Sequence, residues 1–390
     1  MYYITVKASP KYHQMTFEEL LFGMNYAPPV VQNETNTRTY EVGYISDRFL
    51  NGFSVEPLIK MLEEFNAATE NLRSQDRSKL YYHFCIPKKS GGLRPIDAPV
   101  PELMEALRTL KNMFELSFNA PRQGTTVQTS YYHTAAFAYI HGRSTIDAVK
   151  RHQVNQSKWF AKLDFSNFFG TTTLENAMKM LSLVFPFCEI CKSDHGYEEL
   201  RKAVELGFLN GVLPQGTPLS PTLTNIIMIP VDYRLSNRLR NIDYRKYIYT
   251  RYADDMLISS RFKFNVHDVE NAVLETLREF DAPYVLNRDK TRYGSICGSN
   301  WNLGVMLNKD NEITIGWRNK KRFEAMLSSY AMDRKNGIRW DAGDLMHMEG
   351  LRSYYRSIEQ ETIDKIVEHL SRKFGFNIVA AIKQDLRPAG

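Results

Sequence analysis

Asp254 and Asp255 stand side by side in YTRYADDMLISS, between two apolar and aromatic segments. The pattern predicts a β-hairpin, with Lys246 to Ala253 as one strand, Met256 to Ser260 as the other, and the acids in the turn. Asp favours turns on its own account, so the pair alone decides nothing. A third acid widens the chemistry. Asp164 ends another apolar strand-like segment, AKLDFSNFF. If these strands are neighbours, Asp164 and Asp254 meet at one sheet edge, where clustered carboxylates need a cation to stay ionised together. Hard oxygen donors favour Mg²⁺, which takes a few carboxylates plus substrate phosphates. Two such ions activate an attacking hydroxyl and stabilise a departing pyrophosphate, which suits nucleotidyl transfer. Spacing by itself does not bring residue 164 to residue 254.

The elements that must position these acids can be read along the chain. SVEPLIKMLEEFNAATENL carries Leu58, Met61, Leu62 and Phe65 at helical spacing. Residues 81–100, YYHFCIPKKSGGLRPIDAPV, read as a hairpin with a basic, Gly-rich tip. PELMEALRTLKNMFELSF reads as a helix. A helix is also expected over 220–239, with Ser220 as N-cap, Pro221 in the first turn, and Leu223, Ile226 and Ile227 buried. Pro230 should kink or split it. VHDVENAVLETLREF is a further helix, and WNLGVMLNKDNEITIGW a hairpin turning at NKDNE. Residues 318–390 read as mainly helical. Ser357 and Gln360 suggest a capping box. Ile363, Ile366, Val367, Leu370 and Phe374 form an apolar stripe, and Gly375 is the expected stop. A domain boundary is expected near 317.

The chain has 390 residues, enough for two or three domains, and an apolar fraction of 43% that argues against global disorder. A net charge of +6 leans slightly toward a polyanionic partner. Four cysteines are too few for a disulfide scaffold and point to a reducing cytoplasm. Cys188, Cys191 and His195 in CEICKSDH admit a zinc reading, but a second close pair is missing. No apolar run reaches the roughly 18 residues of a membrane span, and no signal peptide is visible, so a cytoplasmic location without membrane contact is expected.

Several blocks, in order, resemble reverse transcriptases. YADD with its apolar flanks resembles the catalytic hairpin and KLDFSNFF the first carboxylate motif. IPKKSGGLRPIDAP resembles the fingers hairpin, AYIHGRSTIDAVKRH the segment before the palm, and LPQGTPLSPTLTNIIM the block opening the long palm helix. LNRDKT and NLGVMLN resemble the late palm motifs. The blocks cover about 80–317. The best fit is a compact bacterial enzyme of the defence-associated group, loosely retron-like and related to group II intron enzymes, although NLGVMLN departs from the usual retron version of that motif.

The resemblance implies an α+β, right-hand polymerase fold. An N-terminal extension and fingers would occupy 1–80, fingers 81–160, a palm of antiparallel sheet packed on helices 161–317, and a helical thumb 318–390. It implies an RNA-directed DNA polymerase. Asp164 and Asp254 would be the main ligands of two Mg²⁺ ions, for which Mn²⁺ could substitute, with Asp255 and the Phe165 carbonyl contributing. Lys290 would protonate the leaving pyrophosphate. Lys88 and Arg94 would clamp the triphosphate, Phe169 would exclude a ribose 2′-OH, and Gln215 and Gly216 would line the nucleotide site. Alternation of strand faces predicts that only one of Phe168 and Phe169 is fully buried. Arg143 and Tyr252 would contact nucleic acid, and Leu303 and Gly304 the primer end. Implied partners are dNTPs, a non-coding RNA template and an RNA–DNA hybrid; an effector protein or self-association stays open. Template-independent or protein-primed synthesis of the abortive-infection type is an alternative activity, and an RNA-binding scaffold on the same fold is another.

Overall fold

The computed structural model describes residues 2–7, 37–42, 54–87, 91–118, 128–130, 132–298 and 303–386. The strands, in chain order, are β1 (Tyr2–Lys7), β2 (Thr37–Val42), β3 (Tyr81–Pro87), β4 (Leu93–Pro99), β5 (Gln128–Ser130), β6 (Trp159–Asp164), β7 (Ile248–Tyr252), β8 (Asp255–Ser260), β9 (Arg292–Ser295), β10 (Met306–Leu307) and β11 (Ile313–Thr314). The helices include α1 (Glu56–Ala68), α2 (Pro101–Phe118), α3 (Thr145–Val154), α4 (Phe168–Thr171), α5 (Leu174–Leu181), α6 (Leu219–Ile227), α7 (Ile229–Arg240), α8 (Val266–Glu279), α9 (Trp317–Lys335), α10 (Ala342–Ile358), α11 (Gln360–Phe374) and α12 (Ile378–Asp385). They form two compact units, each assembled from separated stretches of chain.

The first unit comprises Met1–Arg143, Leu163–Ile258 and Asn265–Thr291. Its centre is α6, buried on nearly every side, with the side chains of Ser220, Thr224 and Asn225 satisfied by the carbonyls of Pro214, Ser220 and Ala138. Each fully buried Leu or Ile there contributes roughly 1.5–3 kcal/mol. The helical segment that Pro230 interrupts is split in two at Met228. Pro230 then sits in the first turn of α7, where its missing N–H costs nothing. The N-cap of α6 is Pro218 rather than Ser220. Thr217 takes the capping contact instead: its Oγ1 accepts from the Ser220 amide at 3.2 Å. The Ser220 hydroxyl turns inward to the Pro214 carbonyl, 2.8 Å away. β3 and β4 pair antiparallel as expected, with Ile86 opposite Arg94 and Phe84 opposite Ile96. The β7–β8 hairpin lies beside β6, giving the order β7-β8-β6.

The second unit comprises Ser144–Lys162, Ser259–Phe264 and Arg292–Gly390. There β9 pairs antiparallel with the start of β6. α3 opens on a capping box between Ser144 and Asp147. Its Gln153 exchanges hydrogen bonds of 2.8 and 3.0 Å with Asn311, which fixes the turn between β10 and β11. Helices α9 to α12 follow. Ser357 and Gln360 do not form the expected capping box, because Ser357 still belongs to α10 and its hydroxyl donates to the Tyr354 carbonyl. Glu359 stands at the α11 N-cap position and sends its carboxylate away to Thr314, the Ile315 amide and Lys320. The α11 stripe buries Ile363, Leu370 and Phe374, and Gly375 ends the helix in the left-handed conformation at φ +82°.

Candidate active site

Asp164 is the last residue of β6 and only 5% exposed. Its carbonyl accepts from the Asn287 amide at 2.8 Å, and the next amide but one, Ser166, donates to Val285 at 2.8 Å. These two bonds form the bridge pairing Phe165 with Leu286 and leave the Phe165 carbonyl outside that ladder. On the other side, the Phe165 amide donates to the Asp254 carbonyl at 3.3 Å. Phe165 and Asp254 are therefore joined backbone to backbone, which brings Asp164 and Asp254 to the same sheet edge.

The electrostatics agree with that proximity. Burial, then the charges of Asp255 and Asp164, push the Asp254 carboxyl up to about 6. The segment 285–287 continues into a single 3-10 turn, Arg288–Lys290, which delivers Lys290. Its ammonium donates to Asp164 Oδ1 at 2.9 Å, a bond that holds its pKa above the ordinary value. Lys290 stays 57% exposed and can still reach solvent or a ligand.

The hairpin is held from behind by a residue that the sequence reading passed over. Arg251 is completely buried. Its guanidinium donates to Asp232 on α7 at 2.8, 2.9 and 3.2 Å, to Asn225 on α6 at 3.1 Å, and to the Ala253 carbonyl at 3.1 Å. The Tyr249 hydroxyl completes the cluster on Asp232 at 2.7 Å. Burial works against the Arg251 charge, but Asp232 more than compensates and raises its pKa. Ala253 takes φ +58°, the positive-φ corner that a two-residue hairpin turn requires. The only signal available in the sequence was a charged residue at a position whose parity matches buried neighbours in the strand.

A third layer supports this one. The Arg251 amide donates to Ala135 at 2.6 Å and its carbonyl accepts from Phe137 at 2.9 Å, so residues 135–137 run parallel to β7. Arg143, expected at the template, uses its guanidinium here. It donates to the carbonyls of Ala136 at 2.6 Å, His133 at 2.8 Å and Tyr132 at 3.4 Å. Its burial lowers its pKa. In this structure it positions the 132–136 loop.

Arg94 is exposed on β4. Lys88 lies outside the described residues. The Gln215 carbonyl accepts from the Asp97 amide at 2.8 Å, tying the Gln-Gly turn to β4. Gly216 has φ +116°, and a Cβ there would come within 2.9 Å of Ile96 and 3.1 Å of the Asp97 carbonyl. The need for glycine is thus set by close approach to β4. Phe168 is buried and Phe169 half-buried, on the short helix α4 rather than on a strand. Phe168 packs against Phe165 and Tyr284. Tyr252, half-buried, ends β7 just before the turn. Leu303 and Gly304 belong to the second unit and precede β10; Gly304 has φ +91°.

Among the described residues no group of three or more His, Cys, Asp or Glu side chains forms a ready-made metal cage. Mg²⁺ does not require one, since one or two carboxylates plus substrate phosphates suffice. The mutual influence of the three aspartates, and the ammonium already drawn onto Asp164, fit a site that favours positive charge. Cys188 is buried on a single helical turn, where burial raises its pKa, and His195 pairs with Glu63 at 2.6 Å. That corner is not built as a zinc site.

Residues 86–323 match the family described as reverse transcriptase (RNA-dependent DNA polymerase). The chain belongs to the reverse transcriptase family. This reverse transcriptase is 27% identical to the retron Ec83 reverse transcriptase of Escherichia coli, over 78% of this chain and 90% of that one. It is 25% identical to the retron Ec73 enzyme of the same species, over 79% and 90%. It is 26% identical to the retron Mx65 enzyme of Myxococcus xanthus, over 75% and 65%. Among solved structures, apo telomerase from Candida tropicalis, truncated from the C-terminal domain, superposes with a TM-score of 0.43 at 13% identity. That match covers 62% of this chain and little more than half, 56%, of the telomerase. The mixed architecture, with an antiparallel sheet flanked by helices, is that of the family. No described helix is long and apolar enough to cross a membrane.

Proposed function

We propose that this reverse transcriptase extends a primer by two-metal nucleotidyl transfer, copying a dedicated non-coding RNA, and that it serves in anti-phage defence. The observation that carries the metal reading is the Phe165–Asp254 backbone bond, which supports a shared site for three aspartates. Asp164 and Asp254 would hold the divalent cations, with Asp255 and the Phe165 carbonyl as further oxygens. Divalent cations held by these oxygens would supply Lewis-acid activation of the primer hydroxyl and neutralise charge on the departing pyrophosphate.

The chain's own groups do the rest. Asp254, with its raised pKa, must lose its proton before it can serve as a ligand. Lys290 sits on the same acids and can give a proton to the leaving pyrophosphate. Arg94 projects from an exposed ribbon and suits a triphosphate by its planar fork of donors. Phe169, half-buried on α4, would close the space that a ribose 2′-OH needs. Gln215 and Gly216 hold β4 to the turn before α6, which fixes where Arg94 begins. Leu303 and Gly304 would meet the primer end, and helices α9 to α11 would ride on the hybrid.

The RNA template reading is supported by similarity to retron enzymes over most of their length. Purification of the protein from its own host, followed by sequencing of bound RNA and DNA, tests it. DNA complementary to one copurifying RNA is expected, and none from a variant carrying Asp254→Ala and Asp255→Ala. DNA of random or homopolymeric sequence would instead mark template-independent synthesis.

A further inference from the structure

Tyr139 has no role in the site as described so far, yet its placement is unusual. It is a non-glycine residue at φ +57°, in the left-handed region that aromatic residues avoid. Its side chain is not tucked away in compensation: the residue is 58% exposed. Strained, exposed aromatic residues persist when neighbours hold them in place, and they concentrate where a ligand is received.

The neighbours that hold Tyr139 are on both sides of it. The Phe137 amide donates to Arg251 at 2.9 Å, and Asn225 donates to the Ala138 carbonyl at 2.8 Å. After it, the Arg143 amide closes a turn onto Ile140 at 3.1 Å, while the Arg143 side chain grips the loop before it. Ala136 bridges Arg251 in parallel, which sets the two segments side by side three residues before Tyr139 and Asp254. The same couple, Arg251 bonded to Asn225, holds the carbonyl of Ala253 and that of Ala138, the residues just before Asp254 and Tyr139. The phenol's surroundings fit this: after burial, the strongest influences raising its pKa are Asp254 and Tyr252, with Arg94 opposing them.

We propose that Tyr139 is a substrate-contacting residue whose ring supports the base–sugar half of the incoming deoxynucleoside triphosphate. The shared Arg251–Asn225 clamp puts its backbone beside the turn that carries the acids that would bind the metals. A flat apolar face there suits a nucleobase, because aromatic stacking tolerates every base. The role differs from that of Phe169, which would select the sugar. This inference rests on the polymerase reading above.

The test uses the full chain, poly(rA)·oligo(dT), dTTP and Mg²⁺. Tyr139→Ala is expected to raise KM for dTTP about tenfold with kcat changed less than threefold, and Tyr139→Phe to recover most of that loss. Tyr139→Gly separates ring from backbone. It should match the Ala variant in KM yet melt at or above the wild-type temperature, because glycine accepts φ +57° freely. A wild-type KM in Tyr139→Ala, or a weakened Kd for primer–template with KM for dTTP unchanged, would overturn the inference while leaving the polymerase reading intact. A wild-type chain inactive on any RNA template would overturn both.

Discussion

Replacing Arg251 by Met should damage this enzyme more than any change of equal size at its surface. The substitution keeps much of the side-chain volume and removes every donor. Asp232, fully buried, loses three contacts of 2.8 to 3.2 Å and keeps the Tyr249 hydroxyl. Removing one partner of a buried ion pair leaves an uncompensated charge and costs about 3–5 kcal/mol. For a unit of this size the melting midpoint should fall on the order of 5–15 °C. A second change, Asp232→Leu, removes the stranded charge, so the double variant should regain part of that stability, the buried Tyr249 hydroxyl now lacking its acceptor. Activity should not return with it. The Ala253 carbonyl would still lack its donor, and the turn carrying Asp254 would be free to move. Thermal unfolding followed by circular dichroism, alongside dTTP incorporation, separates the two effects. An Arg251→Met protein within about 1 kcal/mol of wild type would refute the buried-pair reasoning. A double variant with full activity would refute the link to the turn.

Three other outcomes follow from the same geometry. The raised pKa of Asp254, about 6, means that the folded metal-free protein holds an extra proton between roughly pH 4 and 6. Its stability should therefore fall as pH rises through that window, a slope that Asp254→Asn removes, and half-saturation by Mg²⁺ should need more metal at pH 5.5 than at 7.5; equal requirements would count against the assignment. Gly216→Ala forces a Cβ to within 2.9 Å of Ile96 at a positive φ, so it should cost about 1–3 kcal/mol and raise KM for dNTP by displacing β4. Phe169→Ala should increase ribonucleotide incorporation in a dTTP-versus-UTP competition, and unchanged sugar selection would remove Phe169 from the gate.

Local patterns made much of the fold readable. Extended flanks around a Gly-rich tip in 81–100 and apolar flanks around the acids in 246–260 marked both hairpins. The second, however, turns at Ala253 and Asp254, and Asp255 already begins β8. Pro230 marked where the helical stretch breaks. Asp164, Asp254 and Lys290 were found through motif resemblance, and their contacts agree with one site. What stayed hidden was tertiary. Arg251 and Asp232 are nineteen positions apart on a strand and a helix, and nothing local couples them. Arg143 read as a nucleic-acid contact because its charge was visible and the three carbonyls that absorb it were not. Ser220 and Ser357 have the composition of caps, but Thr217 precedes the first and the second still lies within α10.

The central claim is that Asp164 and Asp254 share divalent cations. Isothermal titration of Mn²⁺ into the protein, with a non-hydrolysable dNTP analogue present, tests it without relying on turnover. Binding by the wild type, with its tightest site lost in both Asp164→Asn and Asp254→Asn, is the expected result. Undiminished Mn²⁺ affinity in either folded variant would contradict it.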